Sequence, residues 1–255
     1  MAWDPPQYLK FAGPRLRPAL DLLQRIDLEA PATVYDLGAG AGNVTRLIAA
    51  RWPAARIVGV DGSAEMLAKA AAESPRIEWR QADLAAWRPD RPADLIYSNA
   101  ALHWLDGHDE LLPGLLAGLA PNGVLAVQMP RNFAAPSHTS ITETALSGPW
   151  RPVLEPLLRP SPVAEPAFYY DLLAPLAASL DIWETEYLQV LDGANPVKEW
   201  TKGTWLGPLL AALDEPARSR FEAAYGERVA ALYPPRGDGR TLFPFRRMFI
   251  IATAA

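Results

Sequence analysis

The chain contains no cysteine. That excludes a disulfide framework, thiolate zinc sites and cysteine nucleophiles. Histidine is scarce: His103, His108 and His138 are the three, and their spacing does not suggest a metal site. No apolar run approaches the ~18 residues of a membrane span. The opening Met1-Ala2-Trp3-Asp4-Pro5-Pro6 lacks the basic stretch followed by an apolar run that marks a secretory signal. The expectation is therefore a cytoplasmic location with no membrane partner. Positive charge is also in deficit, at 24 Lys and Arg against 29 Asp and Glu. With no Lys/Arg-rich run, this speaks against a nucleic-acid partner. An anionic ligand would have to be met by charges focused inside a cleft.

Half of the residues are hydrophobic and 21% are charged, over a length of 255. These are the proportions of a globular protein with room for one full α/β domain and a cap. A helix is expected from about Pro14 to Ile26, where Leu16, Leu20, Leu23 and Ile26 recur at helical spacing. Strands are expected at Val34–Leu37, Ile57–Asp61, Ile77–Arg80, Asp94–Asn99 and Val124–Met129. Helices at Val44–Trp52, Ala64–Ala72 and Glu110–Leu119 alternate with them, the last ending at the turn Pro121-Asn122-Gly123. Such alternation indicates parallel βαβ units. Beyond residue 130 prolines crowd and strand signals weaken. A sixth strand at Leu180–Val190, helices over 196–232 and a β-rich run at Phe245–Thr253 follow. The fold expected is α/β: a doubly wound, mostly parallel, Rossmann-like sheet with a helical cap from insertions around the sixth strand. Residues 1–130 would be the cofactor-binding core with an N-terminal lid. Residues 131–255 would hold the cap insertions and the last core strands, in a single structural unit.

The segment Asp36-Leu37-Gly38-Ala39-Gly40-Ala41-Gly42 follows the first strand and opens a helix. Glycine is needed where a chain turns sharply and a ligand approaches the backbone. Helix-start N–H groups add a polar docking surface. A glycine-rich turn alone is equally expected in NAD-binding proteins. Here the spacing is G-x-G-x-G, with an acidic residue before it, and Asn43 follows Gly42. These details favour S-adenosylmethionine, whose cationic methionyl end suits Asp36. Asp61 ends the second strand, where an acidic residue accepts from a ribose diol; the structural alternative is a helix cap at Asp61 or Ser63. Met66 is placed to touch adenine or to join the core. Ala82 and Asp83 follow the third strand, and the Asp83 carboxylate is an acceptor for the adenine amine or a solvated turn residue. Asn99 ends the fourth strand, at the sheet edge where ligands bind. His103 and Trp104 follow it and are placed to line the cofactor pocket.

These residues resemble the class I S-adenosylmethionine-dependent methyltransferases. Over nearly the whole chain the likeness is to the trans-aconitate 2-methyltransferase family. It is carried by Trp3-Asp4-Pro5 with Tyr8, Phe11, Arg15 and Arg17-Pro18, and by Asn99-Ala100-Ala101-Leu102-His103-Trp104. Leu125–Pro130 with Asn132 and Pro136-Ser137-His138 continues it, as does Asp181-Ile182-Trp183 with Thr185 and Tyr187. Tyr233-Pro234-Pro235, Asp238-Gly239 and Phe243–Phe249 complete it. Two departures stand out. Ala39 sits where cysteine is common. Trp205 and Gly207 sit where some members carry a small residue and an arginine, a difference that bears on the acceptor pocket. The resemblance implies a monomethyl ester formed on a carboxylate, with S-adenosylhomocysteine as the other product.

The chemistry then sets the residues to look for. A carboxylate is ionised at neutral pH and needs no general base, so proximity and orientation carry the catalysis. No acid–base pair is expected. The protein must grip the acceptor's other anionic groups, and arginine pairs with carboxylates bidentately. The candidates are Arg131, Arg246 and Arg247, with Lys202, His138, Tyr8, Tyr169 and Tyr170 as further donors. Arg246 and Arg247 are adjacent on a strand and would point to opposite faces. Trp3, Tyr8 and Phe11 are candidates for a lid over the cofactor. The alternatives are methyl transfer to a hydroxyl of another small molecule, where His103 would serve as base, and a non-catalytic cofactor-binding protein on the same fold.

Overall fold

The computed structural model describes residues 12–255. Tyr8 and the rest of the expected lid lie outside the described residues. The chain divides into two compact units, a core unit of residues 16–130, 162–185 and 247–255, and a helical unit built mainly of residues 131–161 and 186–246.

α1 (Ala12–Gln24) enters the core unit at Leu16. Ala19, Leu22 and Leu23 are buried on it, and Ile26 is buried just beyond its end. Three strand–helix–strand steps follow, with β3 passing to β4 without a helix: β1 (Thr33–Leu37), α2 (Asn43–Arg51), β2 (Arg56–Asp61), α3 (Ala64–Glu73), β3 (Glu78–Gln81), β4 (Ala93–Asn99), α4 (His108–Leu116) and β5 (Leu119–Pro130). β1 is buried at all five residues, as expected of a central parallel strand covered on both faces. β1 pairs in parallel with β2 and β4, β2 with β3, and β4 with β5. α7 (Pro166–Leu173) also belongs to this unit.

Two long strands complete the sheet, β6 (Ala177–Leu191) and β7 (Thr241–Ala254). The order is β3-β2-β1-β4-β5-β7-β6, and β7 runs antiparallel to β5. The order turns back at β1, and β1 and β4 leave that point on opposite sides. Ligands of doubly wound sheets bind at the carboxyl ends of the strands flanking such a switch.

One element departs from the sequence expectation. The Pro121-Asn122-Gly123 turn does not end a helix; it is built into β5. α4 stops at Leu116, and Leu119 already pairs with Ala93. A register shift then absorbs the turn between Ala93 and Leu95. Asn122 takes φ 61°, and a side chain at Gly123 would meet the Ala93 carbonyl oxygen at 2.6 Å.

The helical unit contains α5 (Pro136–Ser147), α6 (Arg151–Leu154), α8 (Pro196–Lys202), α9 (Gly207–Ala211) and α10 (Ala217–Leu232). The expected helical stretch 196–232 is thus three helices. The unit has its own core, in which Trp150, Trp200, Phe221, Tyr225 and Phe243 are buried together.

Candidate active site

β1 delivers Asp36 to the switch point, and the chain then turns through Gly38, Gly40 and Gly42. Their φ angles are 78°, 54° and 80°, left-handed values that cost little only for glycine. Space is also short. A Cβ on Gly38 would collide with that of Ala101, and one on Gly42 with the Trp79 indole. The Gly38 and Ala39 N–H groups both donate to the Val60 carbonyl, at 2.8 and 3.1 Å. The turn is therefore strapped to β2, and Gly42 caps α2.

Two carboxylates, Asp36 and Asp61, flank this turn, and Asp83 follows β3. Asp61 ends β2. Its Oδ2 accepts from Gly40 N–H and its Oδ1 from Ser63 N–H, both at 2.8 Å. Ser63 in turn caps α3, accepting from Met66 N–H. Of the two cap positions expected, Asp61 or Ser63, the cap is Ser63, and Asp61 ties the turn to β2. Asp36 is buried, and its Oδ2 accepts from Thr45 Oγ1 at 2.6 Å. Burial pushes its pKa up to about 7; the Thr45 bond opposes this and the Asp61 charge adds to it. Asp83 is exposed, and its Oδ1 accepts from Ala85 N–H at 3.0 Å, an Asx-type turn. Ala82 N–H donates to the Asp61 carbonyl at 3.1 Å. The Met66 methyl lies 3.7 Å from where a Cβ on Gly40 would stand.

At the end of β4, Asn99 leads into Ala100, which takes a left-handed φ of 52°. Ala101 follows against Gly38, and then a 3-10 turn, Leu102–Trp104. The run of small residues is what lets the two loops meet. His103 is buried, its ring 4.7 Å from that of Trp104. His108 fastens this turn. Its Nε2 lies 3.0 Å from the Leu102 carbonyl oxygen and its Nδ1 2.7 Å from Tyr169 Oη. A carbonyl only accepts, so Nε2 carries the hydrogen and the Tyr169 hydroxyl donates to Nδ1. Tyr170, the next residue, is 59% exposed. Successive residues on a helix do not face the same way, so α7 buries one tyrosine and leaves the other in solvent.

The helical unit holds a second polar line. Arg246 N–H donates to Asn132 Oδ1 at 3.2 Å, which fixes the amide with Nδ2 toward Ser137 Oγ at 3.4 Å. Ser137 Oγ lies 3.0 Å from His138 Nδ1. Ser137 is fully buried, and its hydroxyl hydrogen has only His138 Nδ1 to go to among the described residues. His138 is therefore an Nε2–H tautomer. Burial lowers its pKa to about 4, which keeps it a neutral donor. Its ring stands edge-on to Phe133 at 5.5 Å, and Phe133 stands edge-on to Trp205 at 4.9 Å. The Arg159 guanidinium lies over the Trp205 ring at 5.2 Å.

The remaining cations divide. Arg131 is half-buried, its N–H on the Arg246 carbonyl at 3.0 Å. Arg246 and Arg247 do alternate: the Arg246 side chain is 47% exposed, 3.9 Å from Glu186, whereas Arg247 is buried and donates to Gln128 Oε1 at 3.3 Å. The Lys202 ammonium is committed to Glu222 at 2.9 Å.

A methyltransferase-domain family model matches residues 34–123. Among solved structures, the YcgJ protein from Bacillus subtilis is similar with a TM-score of 0.59 at 15% identity, covering 93% of this chain and 98% of that one. A phosphoethanolamine N-methyltransferase from Haemonchus contortus, solved with phosphomonomethylethanolamine and S-adenosylhomocysteine, also gives 0.59 at 14% identity, over 97% of this chain and 56% of that one. These likenesses are likenesses of fold. The curated relatives are much nearer in sequence. The trans-aconitate 2-methyltransferase of Azoarcus sp. is 53% identical, covering 98% of both chains. That of Methylobacterium radiotolerans is 47% identical over 99% of this chain and 98% of its own. The chain belongs to the trans-aconitate 2-methyltransferase family. It is an S-adenosylmethionine-dependent methyltransferase.

The residues fit such a cofactor. Asn99 Oδ1 is buried without a hydrogen-bond partner, an acceptor awaiting a donor such as the methionyl ammonium. The glycine turn leaves no room for a side chain at Gly38 or Gly42, and Asp36 and Asp61 flank it. Sequence reasoning missed Trp79, whose indole underlies Gly42 and Gly59, because an aromatic in a short strand carries no local signal of what it supports. It also passed over Thr45, Gln128 and Arg159. The first could have been found from its place in the first turn of the helix after the glycines.

Proposed function

We propose that the chain methylates one carboxylate of trans-aconitate to give a monomethyl ester and S-adenosylhomocysteine. The observation that carries this is the 53% identity, end to end, with a relative named for that reaction. Bound S-adenosylmethionine supplies a methyl already activated on a sulfonium, and its transfer to a carboxylate releases no proton. The chain's own residues therefore need only bind, orient and exclude water.

On this reading the cofactor is held by Asp36, the turn of Gly38, Gly40 and Gly42, and by Asp61, Met66, Ala82, Asp83, Asn99 and Trp104. Each Asp61 oxygen already accepts one backbone N–H and keeps a lone pair for a ribose hydroxyl. Asp36 in its ionised form faces the cationic end. For the acceptor the candidates are Arg131 and the buried Arg247, with His138 as a neutral donor; Arg246 points to the other side of β7, beside Glu186. His103 has no proton to take from a carboxylate, and its role is to pack Trp104. Arg159 over Trp205 adds a cation to the helical unit, where Gly207 offers none.

Purified protein incubated with S-adenosylmethionine and a panel of di- and tricarboxylic acids tests this. Equal amounts of S-adenosylhomocysteine and a trans-aconitate methyl ester are expected. Turnover of no acid, with cofactor binding intact, rejects the acceptor.

A further inference from the structure

We infer that the Gln128 side-chain amide holds the acceptor, its Nε2 donating to a carboxylate oxygen of the acid, with Arg247 as the positioning residue. This rests on the carboxylate reading above.

Gln128 is fully buried in β5 and interrupts an apolar run, Val124-Leu125-Ala126-Val127 before it and Met129 after. A buried primary amide is costly unless both of its ends are bonded. Only one end is. Arg247 Nη1 donates to Oε1 at 3.3 Å, and a guanidinium has no acceptor, so the amide cannot be turned round. Nε2 then faces away from Arg247, buried and with no hydrogen-bond partner.

The neighbouring strand carries the complement. Asn99 and Gln128 are Cα partners across the parallel β4–β5 pair, so their side chains stand on one face of the sheet. Asn99 Oδ1 is likewise buried without a partner. One orphan is an acceptor and the other a donor, and they do not bond each other. Both lie at the carboxyl ends of adjacent parallel strands, where this class of sheet binds its ligands. The pair calls for a donor against Asn99 and an acceptor against Gln128. The methionyl ammonium answers the first, and an oxygen of the acid the second. A neutral amide also suits its task. It orients a carboxylate yet leaves the negative charge that makes the oxygen nucleophilic, which a bidentate arginine would largely neutralise.

The test uses Gln128→Met, which keeps the volume and removes the donor, and Gln128→Glu, which keeps an oxygen for Arg247 but meets the acid with a second carboxylate. Trans-aconitate is titrated calorimetrically into protein loaded with S-adenosylhomocysteine, beside steady-state kinetics and cofactor titrations. Both variants are expected to bind the cofactor within about twofold of the parent and the acid about tenfold or more weakly, with a matching rise in KM, the scale of one lost hydrogen bond to a charged group. Arg247→Met, which frees the amide to turn, should raise KM for the acid without moving cofactor affinity. Loss of cofactor affinity with acid affinity unchanged would assign Gln128 to the cofactor and overturn the inference. So would a variant unchanged in both. If Gln128→Met does not fold, Gln128→Glu decides the matter alone. A parent enzyme that binds cofactor but neither binds nor methylates any acid rejects the carboxylate reading itself, and the Gln128 assignment with it.

Discussion

Asp61 Oδ2 accepts the Gly40 N–H at 2.8 Å, joining the end of β2 to the middle of the glycine turn. The carboxylate proposed to meet the ribose is thus also a strut of the glycine turn. Asp61→Ala removes both functions. It should cost on the order of 2 kcal/mol of stability through the two lost backbone bonds and weaken S-adenosylmethionine well beyond tenfold. Asp61→Asn keeps one acceptor and should fall between. Calorimetric titration beside thermal unfolding checks this; unchanged cofactor affinity in Asp61→Ala removes the residue from the site.

If Asp36 faces the cofactor as proposed, binding is expected to depend on pH near neutrality. Its pKa is raised from 3.8 to about 7, chiefly by burial. Between those values the folded protein holds a proton that the unfolded chain has released. The stability this gives is complete below about pH 4 and is lost as pH rises through about 7, by up to the order of 4 kcal/mol. Affinity for the cationic cofactor runs the other way, rising as Asp36 ionises and levelling above pH 7. Asp36→Asn should flatten both profiles. A cofactor affinity in the parent that is flat from pH 5.5 to 8 would exclude an ionising Asp36.

The line Arg246–Asn132–Ser137–His138 predicts a tautomer that NMR can read directly. With three histidines in the chain, the long-range nitrogen–proton spectrum assigns quickly. His138 should be the Nε2–H form at neutral pH and titrate only near 4. Ser137→Ala should mix the two tautomers and raise KM for the acid with little change in kcat. A pure Nδ1–H form in the parent would reverse the Ser137–His138 bond alone and refute the assigned tautomer, since the Arg246 N–H can only donate to Asn132 Oδ1.

Gly38 carries two separable penalties for any side chain. Gly38→Ala must adopt φ 78° and must clear Ala101. The backbone term is about 1–2 kcal/mol and the overlap about 1–3 kcal/mol. Adding Ala101→Gly should relieve the overlap alone and restore part of the lost stability. Additive losses in the double variant would show that the two residues do not touch.

The parallel core was legible because burial on both faces writes near-continuous apolar runs, as in β1 and β2, and because glycines mark the one place where backbone must approach a ligand. The alternation of Arg246 and Arg247 followed from strand geometry alone. Which of the two would be buried did not, since that depends on Gln128, over a hundred positions away in the chain. The β5 irregularity was misread because Pro-Asn-Gly looks the same in a loop and in a bulge; only the pairing of Leu119 with Ala93 tells them apart. Which of Tyr169 and Tyr170 is buried is not legible in the sequence, because it depends on where α7 places its inward face. The Lys202–Glu222 ion pair is not legible either, because the two residues sit on different helices.

The position of β7 has a consequence for how the protein is made. It follows β6 in the chain yet lies between β5 and β6 in the sheet. Until residue 254 has left the ribosome, β5 presents an open edge, and β6 has no neighbour to join. A nascent chain halted before Thr241 holds the whole cofactor signature but leaves β5, paired with β4 on one side, with its other edge open, the sort of edge that recruits other chains. Slow synthesis across residues 192–240 would lengthen that exposure, so chaperone demand should track translation of the helical unit rather than of the sheet that precedes it.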